Sequence, residues 1–382
     1  MIVTDCSRRP ELASLPISLQ IPARGEPNLN VIASVHVVRR FGPVGGMERY
    51  VWELTRSLAE LGHRVTVVCE RCYAPLPTGV TVHELGEVFP RPRWLALLRF
   101  STRVARWLAE HPQPNAVVHS HERLGMHQVT TFHGPPFAVV RTRPWWRRAS
   151  LRVKMQLWLE RRELCSDTVR AVVPNSSMTA KQLLSFYPEV GARMSTPIPP
   201  GVAARLRRPA RAVPLDGGVV AFIGKEWQRK GLARTVAIVE ELRRRRPRAE
   251  LWVIGPAPDQ VVTLFSGWEG GFRLLGWSTD PDVYSQIDLL LHPASAEPYG
   301  MVISEAMAAA VPVLISDCCG IAPDVKSTAG EVLPLVAPLA HWVEAAERQL
   351  ARPEPPPRFE RSWRLVAEEQ LAVYGSLARA PV

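Results

Sequence analysis

With 382 residues and a hydrophobic content of 46%, the chain is long enough for two to three domains with sizeable cores. Forty-seven basic residues against 36 acidic give a net charge of +11, which favours an anionic partner and excludes an acidic, solvating chain. No run reaches the roughly 18 apolar residues that span a bilayer, and the first residues, with Asp5, Arg8, Arg9 and Glu11, lack the apolar core of a signal peptide, so a cytoplasmic protein is expected.

Residues 1–28 contain four prolines and little periodicity and read as an irregular extension. Residues 29–38 predict a first strand, and 41–50 a Gly-rich loop running into a helix. In that helix Tyr50, Leu54, Leu58 and Leu61 fall at helical spacing, and Gly62 ends it. With a second strand over 63–69 this is a Rossmann-type unit, although its glycines do not make G-x-G-x-x-G, which argues against a dinucleotide site. Cys69 and Cys72 form an isolated C-x-x-C without a second pair at zinc-ligand spacing, and read as structural or free thiols. Residues 116–122 and 128–133 predict two further strand ends with polar tips. His119, His121, His127 and His133 lack the i, i+4 pairing of a helical zinc site, so no metal is expected there.

Residues 141–158 are the most basic and aromatic stretch, with Val153, Leu157 and Trp158 expected on one apolar face of a helix after Pro144. Cations beside Trp suit an anionic membrane surface, and residues 91–106 repeat the theme. No nucleic-acid-binding module accompanies the charge, so a nucleic-acid partner is not expected. Residues 169–177 predict a strand ending in Asn175-Ser176-Ser177, a cap for a helix over 178–185. The first domain is thus expected over 29–203, with a Pro- and Arg-rich linker at 204–216.

The second domain, 217–358, opens on a buried strand that delivers Lys225 and Lys230 to its carboxyl end, with Arg229 beside them. A departing diphosphate needs compact positive charge, which Lys supplies as a point charge. Only five residues of the chain are Lys, and two fall in this loop. Asp280-Pro281-Asp282 reads as a structural helix start, with Asp280 as cap and Pro281 at the first helical position. Residues 288–292 predict a buried parallel strand, followed by a loop with Glu297 and Pro298, a small-residue helix over 300–310 carrying Glu305, and a strand over 311–315. In open α/β sheets ligands sit outside the carboxyl ends of strands, where helix N-termini present free N–H groups. Those at Gly300, Met301 and Val302 suit an anion, and flanking carboxylates suit hydroxyls. A nucleotide sugar carries both.

The stretch Glu297-Pro-Tyr-Gly-Met-Val-Ile-Ser-Glu305-Ala-Met-Ala resembles the Glu, seven residues, Glu signature of family-4 retaining glycosyltransferases. The resemblance implies an α/β fold of two Rossmann-like domains facing across a cleft, with the last helix, within 359–382, crossing back to the N-terminal domain. It implies that Glu297 contacts the donor sugar and Glu305 holds the nucleotide ribose, with Tyr299, Gly300, Met301 and Val302 also at the donor. Gly45 and Gly46 resemble the Gly-Gly loop that lets the backbone approach the donor diphosphate, and His133 matches a pocket His beside the donor sugar. Lys225 stands where the family commonly has Arg, Lys230 matches its Lys, and Arg229 is a further candidate for the diphosphate. Ala310 stands where the family usually has Gly, which slightly changes the helix end.

The implied activity is retaining transfer from a nucleoside-diphosphate sugar, a UDP-sugar favoured, with neither metal nor cofactor. His119-Ser-His-Glu122 and Thr131-Phe-His-Gly-Pro-Pro136, together with the basic Trp-rich surface, resemble lipopolysaccharide-core glycosyltransferases. That implies a glycolipid or lipopolysaccharide-core acceptor and a peripheral location at the inner face of the inner membrane. Another surface polysaccharide or glycolipid, and a non-catalytic nucleotide-sugar-binding protein on the same fold, are the alternatives.

Overall fold

The computed structural model describes residues 33–113, 115–203, 207–278 and 282–379. They form two compact units, one of residues 202–360 and one of the preceding residues together with those from 361 onward.

Short β-branched runs build the sheet of the first unit: β1 (Ala33–Val37), β2 (Arg64–Cys69), β3 (Val80–Glu84), β4 (Ala116–Ser120), β5 (Val129–Phe132) and β6 (Ala171–Pro174). All pair in parallel, in the order β3-β2-β1-β4-β5-β6. The central strands are buried on both faces, which is why they read as Val-rich runs rather than alternating ones. The helix after β1, α1 (Gly46–Glu60), buries Tyr50, Val51, Leu54 and Leu58 as one stripe, and Gly62 takes a left-handed φ of 80° just past its end. Helix α2 (Arg93–Glu110) buries Ala96, Leu97, Phe100, Val104 and Trp107.

The next helix, α3 (Leu151–Cys165), buries a partly polar face. Its buried residues are Leu159, Glu160, Glu163 and Leu164, whereas Trp158 is exposed, with the Arg162 guanidinium over its ring. The reason is polar. Glu160 accepts from the backbone N–H groups of Phe137 and Ala138 and from the Tyr187 hydroxyl, and it pairs with Arg123 at 3.0 Å, so the face carrying it turns inward. Helix α4 (Ser177–Phe186) is capped by Ser176, whose Oγ accepts from the Thr179 N–H at 3.1 Å.

The second unit repeats the connectivity with β7 (Gly217–Ile223), β8 (Arg248–Ile254), β9 (Phe272–Gly276), β10 (Leu289–His292), β11 (Val313–Ser316) and β12 (Gly330–Leu333). Their order is β9-β8-β7-β10-β11-β12, again all parallel, so each sheet reverses direction at one switch point, between β1 and β4 or between β7 and β10. Its core is formed by β7, β8 and β10 with α5 (Leu232–Arg243) on one face and α6 (Met301–Ala308) on the other; α7 (Leu339–Leu350) joins α5 through Trp342 and Val343. Arg208 and Arg211, expected in a linker, are packed into this unit. Both reach Asp288 Oδ1, at 2.7 and 2.8 Å, and Asp288 Oδ2 accepts from the Val219 N–H at 2.8 Å.

Helix α6 is shorter than the 300–310 span expected, because Ala310 takes a left-handed φ of 60°. The Ala310 N–H donates to the Met307 carbonyl and the Val311 N–H to the Ala306 carbonyl, a complete Schellman closure. Alanine thus holds the backbone that glycine would adopt freely, at a cost of about 1 kcal/mol.

The terminal helix, α8 (Trp363–Arg379), belongs to the first unit and packs on α1, the Trp363 ring edge-on to Tyr50 with centroids 5.5 Å apart. This is the return of the last helix that the resemblance implies. No helix among the described residues is long and apolar enough to cross a membrane. Residues 1–32, Asp280 and Pro281 lie outside the described residues, so the extension and the proposed Asp280 cap do too.

Candidate active site

The carboxyl ends of β7 and β10 meet at the switch point of the second sheet, and each delivers charge. After β7 comes a short helix, Trp227–Lys230, and after β10 the loop holding Glu297. Lys230 Nζ stands 2.7 Å from Glu297 Oε2, with Arg229 Nη1 at 3.6 Å and His292 Nε2 at 3.4 Å from the same oxygen. Burial pushes the Glu297 carboxyl up, but Lys230, His292 and Arg229 outweigh it and hold the group well below the usual carboxylate range. Burial keeps His292 below the usual imidazole range, so its ring is neutral at pH 7.

The backbone fixes this constellation from two sides. The Glu297 N–H donates to the Cys318 carbonyl at 2.9 Å, and the Gly320 N–H donates to the Glu297 carbonyl at 2.8 Å, so the 318–320 turn holds the acid. Ser295 donates both its N–H and its hydroxyl to the Arg229 carbonyl, at 2.9 and 3.0 Å, stitching the two loops together. Gly224, at φ 152°, lies directly under the Lys230 stem, and a Cβ there would overlap Lys230 Cδ.

Gly300 is the N-cap of α6 at φ 107°, a left-handed backbone, and the N–H groups of Met301 and Val302 lie in the first turn, where no carbonyl of the helix can accept from them. Within α6, Glu305 is buried and accepts from the Tyr284 hydroxyl at 2.6 Å, while Tyr299 is buried in the core beside the helix. Lys225 lies apart from Glu297, its Nζ 3.5 Å from the centroid of the exposed Trp277 ring. An open depression of about 690 Å³ is lined by Lys225, Glu226, Trp227, Gln228, Arg229 and Gln260.

In the first unit Gly45 is the extended N-cap of α1, where a Cβ would overlap the Glu48 carboxylate, and Gly46 has open space. Glu48 is itself buried and paired with Arg40. His133 follows β5. Its ring lies edge-on to Tyr50 with centroids 4.8 Å apart, and its Nε2 is 2.9 Å from His121 Nδ1. Burial lowers its imidazole to about 3. The structure regroups the four histidines that the sequence offers together. His127 stands aside, hydrogen-bonded to the Glu163 carbonyl at 3.0 Å, and its place is taken by His36 of β1, which lies opposite His119 in the sheet. His36, His119 and His121 bring ring nitrogens within 4.8 Å of one another.

Sequence reasoning missed His36, His292, Trp277, Tyr284 and Tyr374. A His closing an apolar strand is a legible signal for His292. The others become site residues only through contacts between segments far apart in the chain.

Two family models match this chain, Glycosyltransferase Family 4 over residues 44–205 and Glycosyl transferases group 1 over residues 217–351. A D-inositol 3-phosphate glycosyltransferase of Segniliparus rotundus is 26% identical over 94% of this chain and 92% of its own length. A phosphatidyl-myo-inositol mannosyltransferase of Mycolicibacterium smegmatis is 26% identical over 72% of this chain and 74% of its own. Among solved structures, WaaG, a glycosyltransferase involved in lipopolysaccharide biosynthesis, matches with TM-score 0.74 and 19% identity over 90% of this chain and 95% of its own. Anabaena Alr3699/HepE in complex with UDP-glucose matches with TM-score 0.60 and 14% identity over 91% of this chain and 98% of its own. The chain is therefore a glycosyltransferase of family 4, built on two Rossmann-like domains.

Proposed function

We propose that the protein transfers a sugar, with retention of configuration, from a nucleoside-diphosphate sugar to a glycolipid acceptor at an anionic membrane surface. The observation that carries the donor half is the Lys230–Glu297 pair at the β7/β10 switch point, beside the N-terminus of α6. Lys230, Lys225, Arg229 and the N–H groups of Gly300, Met301 and Val302 supply fixed positive charge to the departing diphosphate. Glu297, held ionised by its neighbours, supports the positive charge that develops on the sugar. Glu305, positioned by Tyr284, accepts from the ribose hydroxyls, and the family resemblance assigns Gly45 and Gly46 to the diphosphate and His133 to the sugar. The C1–phosphate bond breaks as the acceptor oxygen bonds C1 on the same face, and the acceptor proton passes to the departing phosphate oxygen. Lys and backbone dipoles provide the stabilisation, so no metal is required. A UDP-sugar is the favoured donor, in line with the UDP-glucose complex of the Anabaena protein.

The acceptor half rests on the surface around α3. Trp145 and Trp146 are 70% and 62% exposed, amid the exposed Arg143, Arg147, Arg148, Arg152 and Lys154. Indole beside cations suits anionic lipid headgroups, which favours a lipid-linked acceptor, lipopolysaccharide core among them, and a peripheral location at the inner face of the inner membrane. A phosphorylated inositol is the second acceptor reading, favoured by the D-inositol 3-phosphate enzyme.

A thermal-shift screen with UDP, GDP, ADP and NAD tests the donor half. Ligand at 100 Kd adds about 2.7 kcal/mol to the folded state, so one nucleoside diphosphate is expected to raise Tm selectively. No rise with any nucleoside diphosphate overturns the reading. Transfer from the matching sugar donor, with the product anomer assigned by NMR, then tests retention.

A further inference from the structure

Six side chains of the first unit, Thr131, His119, Tyr374, His36, His121 and His133, form an unbroken hydrogen-bonded line. Thr131 Oγ1 is 2.8 Å from His119 Nε2, and His119 Nδ1 is 2.7 Å from the Tyr374 hydroxyl. Tyr374, on α8, is 3.3 Å from His36 Nε2, and His36 Nδ1 is 3.1 Å from His121 Nε2. The line ends where His121 Nδ1 meets His133 Nε2 at 2.9 Å. His36, His119 and His121 are buried, and burial holds each ring far below the ordinary imidazole range, so all are neutral at pH 7.

A neutral imidazole carries one proton: one nitrogen donates and the other accepts. The rings between Tyr374 and His133 therefore cannot choose independently. If His36 Nε2 donates to Tyr374, His36 Nδ1 must accept from His121 Nε2–H, and His121 Nδ1 must accept from His133 Nε2–H. If Tyr374 donates to His36 instead, every proton along this arm moves to the other nitrogen, and His133 becomes the Nδ1–H tautomer. Distance selects between them. The 2.7 Å contact to His119 fits a phenolic O–H donor, and the 3.3 Å contact to His36 is left for an N–H donating to the phenolic oxygen.

We infer that Tyr374, His36 and His121 are positioning residues that hold His133 as its Nε2–H tautomer, so that Nδ1 presents a lone pair to a hydroxyl donor of the substrate. His133 then acts as a hydrogen-bond acceptor rather than a cation or an acid. The consequence for turnover rests on the sugar-transfer reading above; the tautomer itself does not.

Long-range 1H–15N correlation spectra of histidine-labelled protein read each tautomer directly. In the wild type, His36, His121 and His133 are all expected as Nε2–H; any one of them as Nδ1–H overturns the inference without recourse to a variant. Tyr374→Phe removes the hydroxyl that accepts from His36, and His133 is expected to lose its single Nε2–H form while kcat/KM falls about tenfold. An unchanged His133 tautomer in folded Tyr374→Phe protein overturns the inference. So does stoichiometric zinc in the purified protein, because a metal at His36, His119 and His121 would consume the lone pairs that the line needs. Wild type with the expected tautomers but no Tm response to any nucleoside diphosphate would uphold the line and overturn only the donor reading.

Discussion

Lys230 Nζ and Glu297 Oε2 meet at 2.7 Å with both side chains nearly buried, one delivered by β7 and the other by β10. The pair concentrates a cation that a diphosphate can share beside a carboxylate that cannot protonate at neutral pH. Lys230→Ala is expected to lower kcat/KM by about 10²–10³, the usual loss when one preorganised charge facing a leaving group is removed. Near wild-type kcat/KM in steady-state transfer assays would end the phosphate role.

Gly224 makes room for Lys230, so its replacement tests position rather than charge. Gly224→Ala places a methyl in the Lys230 stem and strains a backbone at φ 152°. A loss of about 1–3 kcal/mol in urea unfolding is expected, together with at least a tenfold fall in turnover of the protein that remains folded. A fold and activity that both tolerate the methyl would show that the lysine needs no such seat.

Glu305 is expected to serve binding rather than the bond change. Glu305→Ala should raise the donor KM about tenfold with little change in kcat, in proportion to the loss of one charge-assisted hydrogen bond. Calorimetry with UDP and with pyrophosphate separates the roles: equal weakening of both would show that Glu305 does not face the ribose.

Stability should fall as pH drops through the ordinary histidine range. His36, His119, His121 and His127 are all buried with lowered pKa values, to about 3 and about 4 for His36 and His127. A depressed group contributes its stability above the unfolded value of 6.5, and that contribution is lost as pH falls. Each can change stability by up to about 1.4 kcal/mol per pH unit. Glu163 acts oppositely. Burial raises it to about 7 from 4.5, so its contribution is lost as pH rises through that window. Glu122, also raised by burial to about 7, acts in the same direction as Glu163, but His63, His133 and His292 are lowered as well, so seven rings outweigh two carboxyls and urea midpoints are expected to fall from pH 6.5 to 5.5. A flat or rising profile would show that these rings are not buried neutral.

Membrane association should depend on indole and salt together. Replacing Trp145 and Trp146 by Ala is expected to reduce co-sedimentation with anionic vesicles several-fold, and binding of the wild type should weaken as ionic strength rises. No binding of the wild type to anionic vesicles at low salt removes the membrane surface from the proposal.

The sequence by itself determined most of the architecture, because strands buried on both faces are written as local apolar runs and helix ends as local caps. Residues 29–38, 63–69 and 288–292 announced β1, β2 and β10, and Ser176 and Gly62 marked real helix ends. The candidate donor residues were legible for a similar reason: Lys230 closes the short helix after β7, Glu297 lies in the loop after β10, and Glu305 lies in the helix that follows it. The tertiary structure alone decided which polar groups turn inward. Glu160 turns inward because it finds two backbone N–H donors, Arg123 and Tyr187 across the fold, while Trp158 stays at the surface. Likewise His36 joins His119 only through sheet register, and Tyr374 reaches both only because α8 returns to α1. Periodicity records burial along a segment; hydrogen-bond partners hundreds of residues apart leave no local trace.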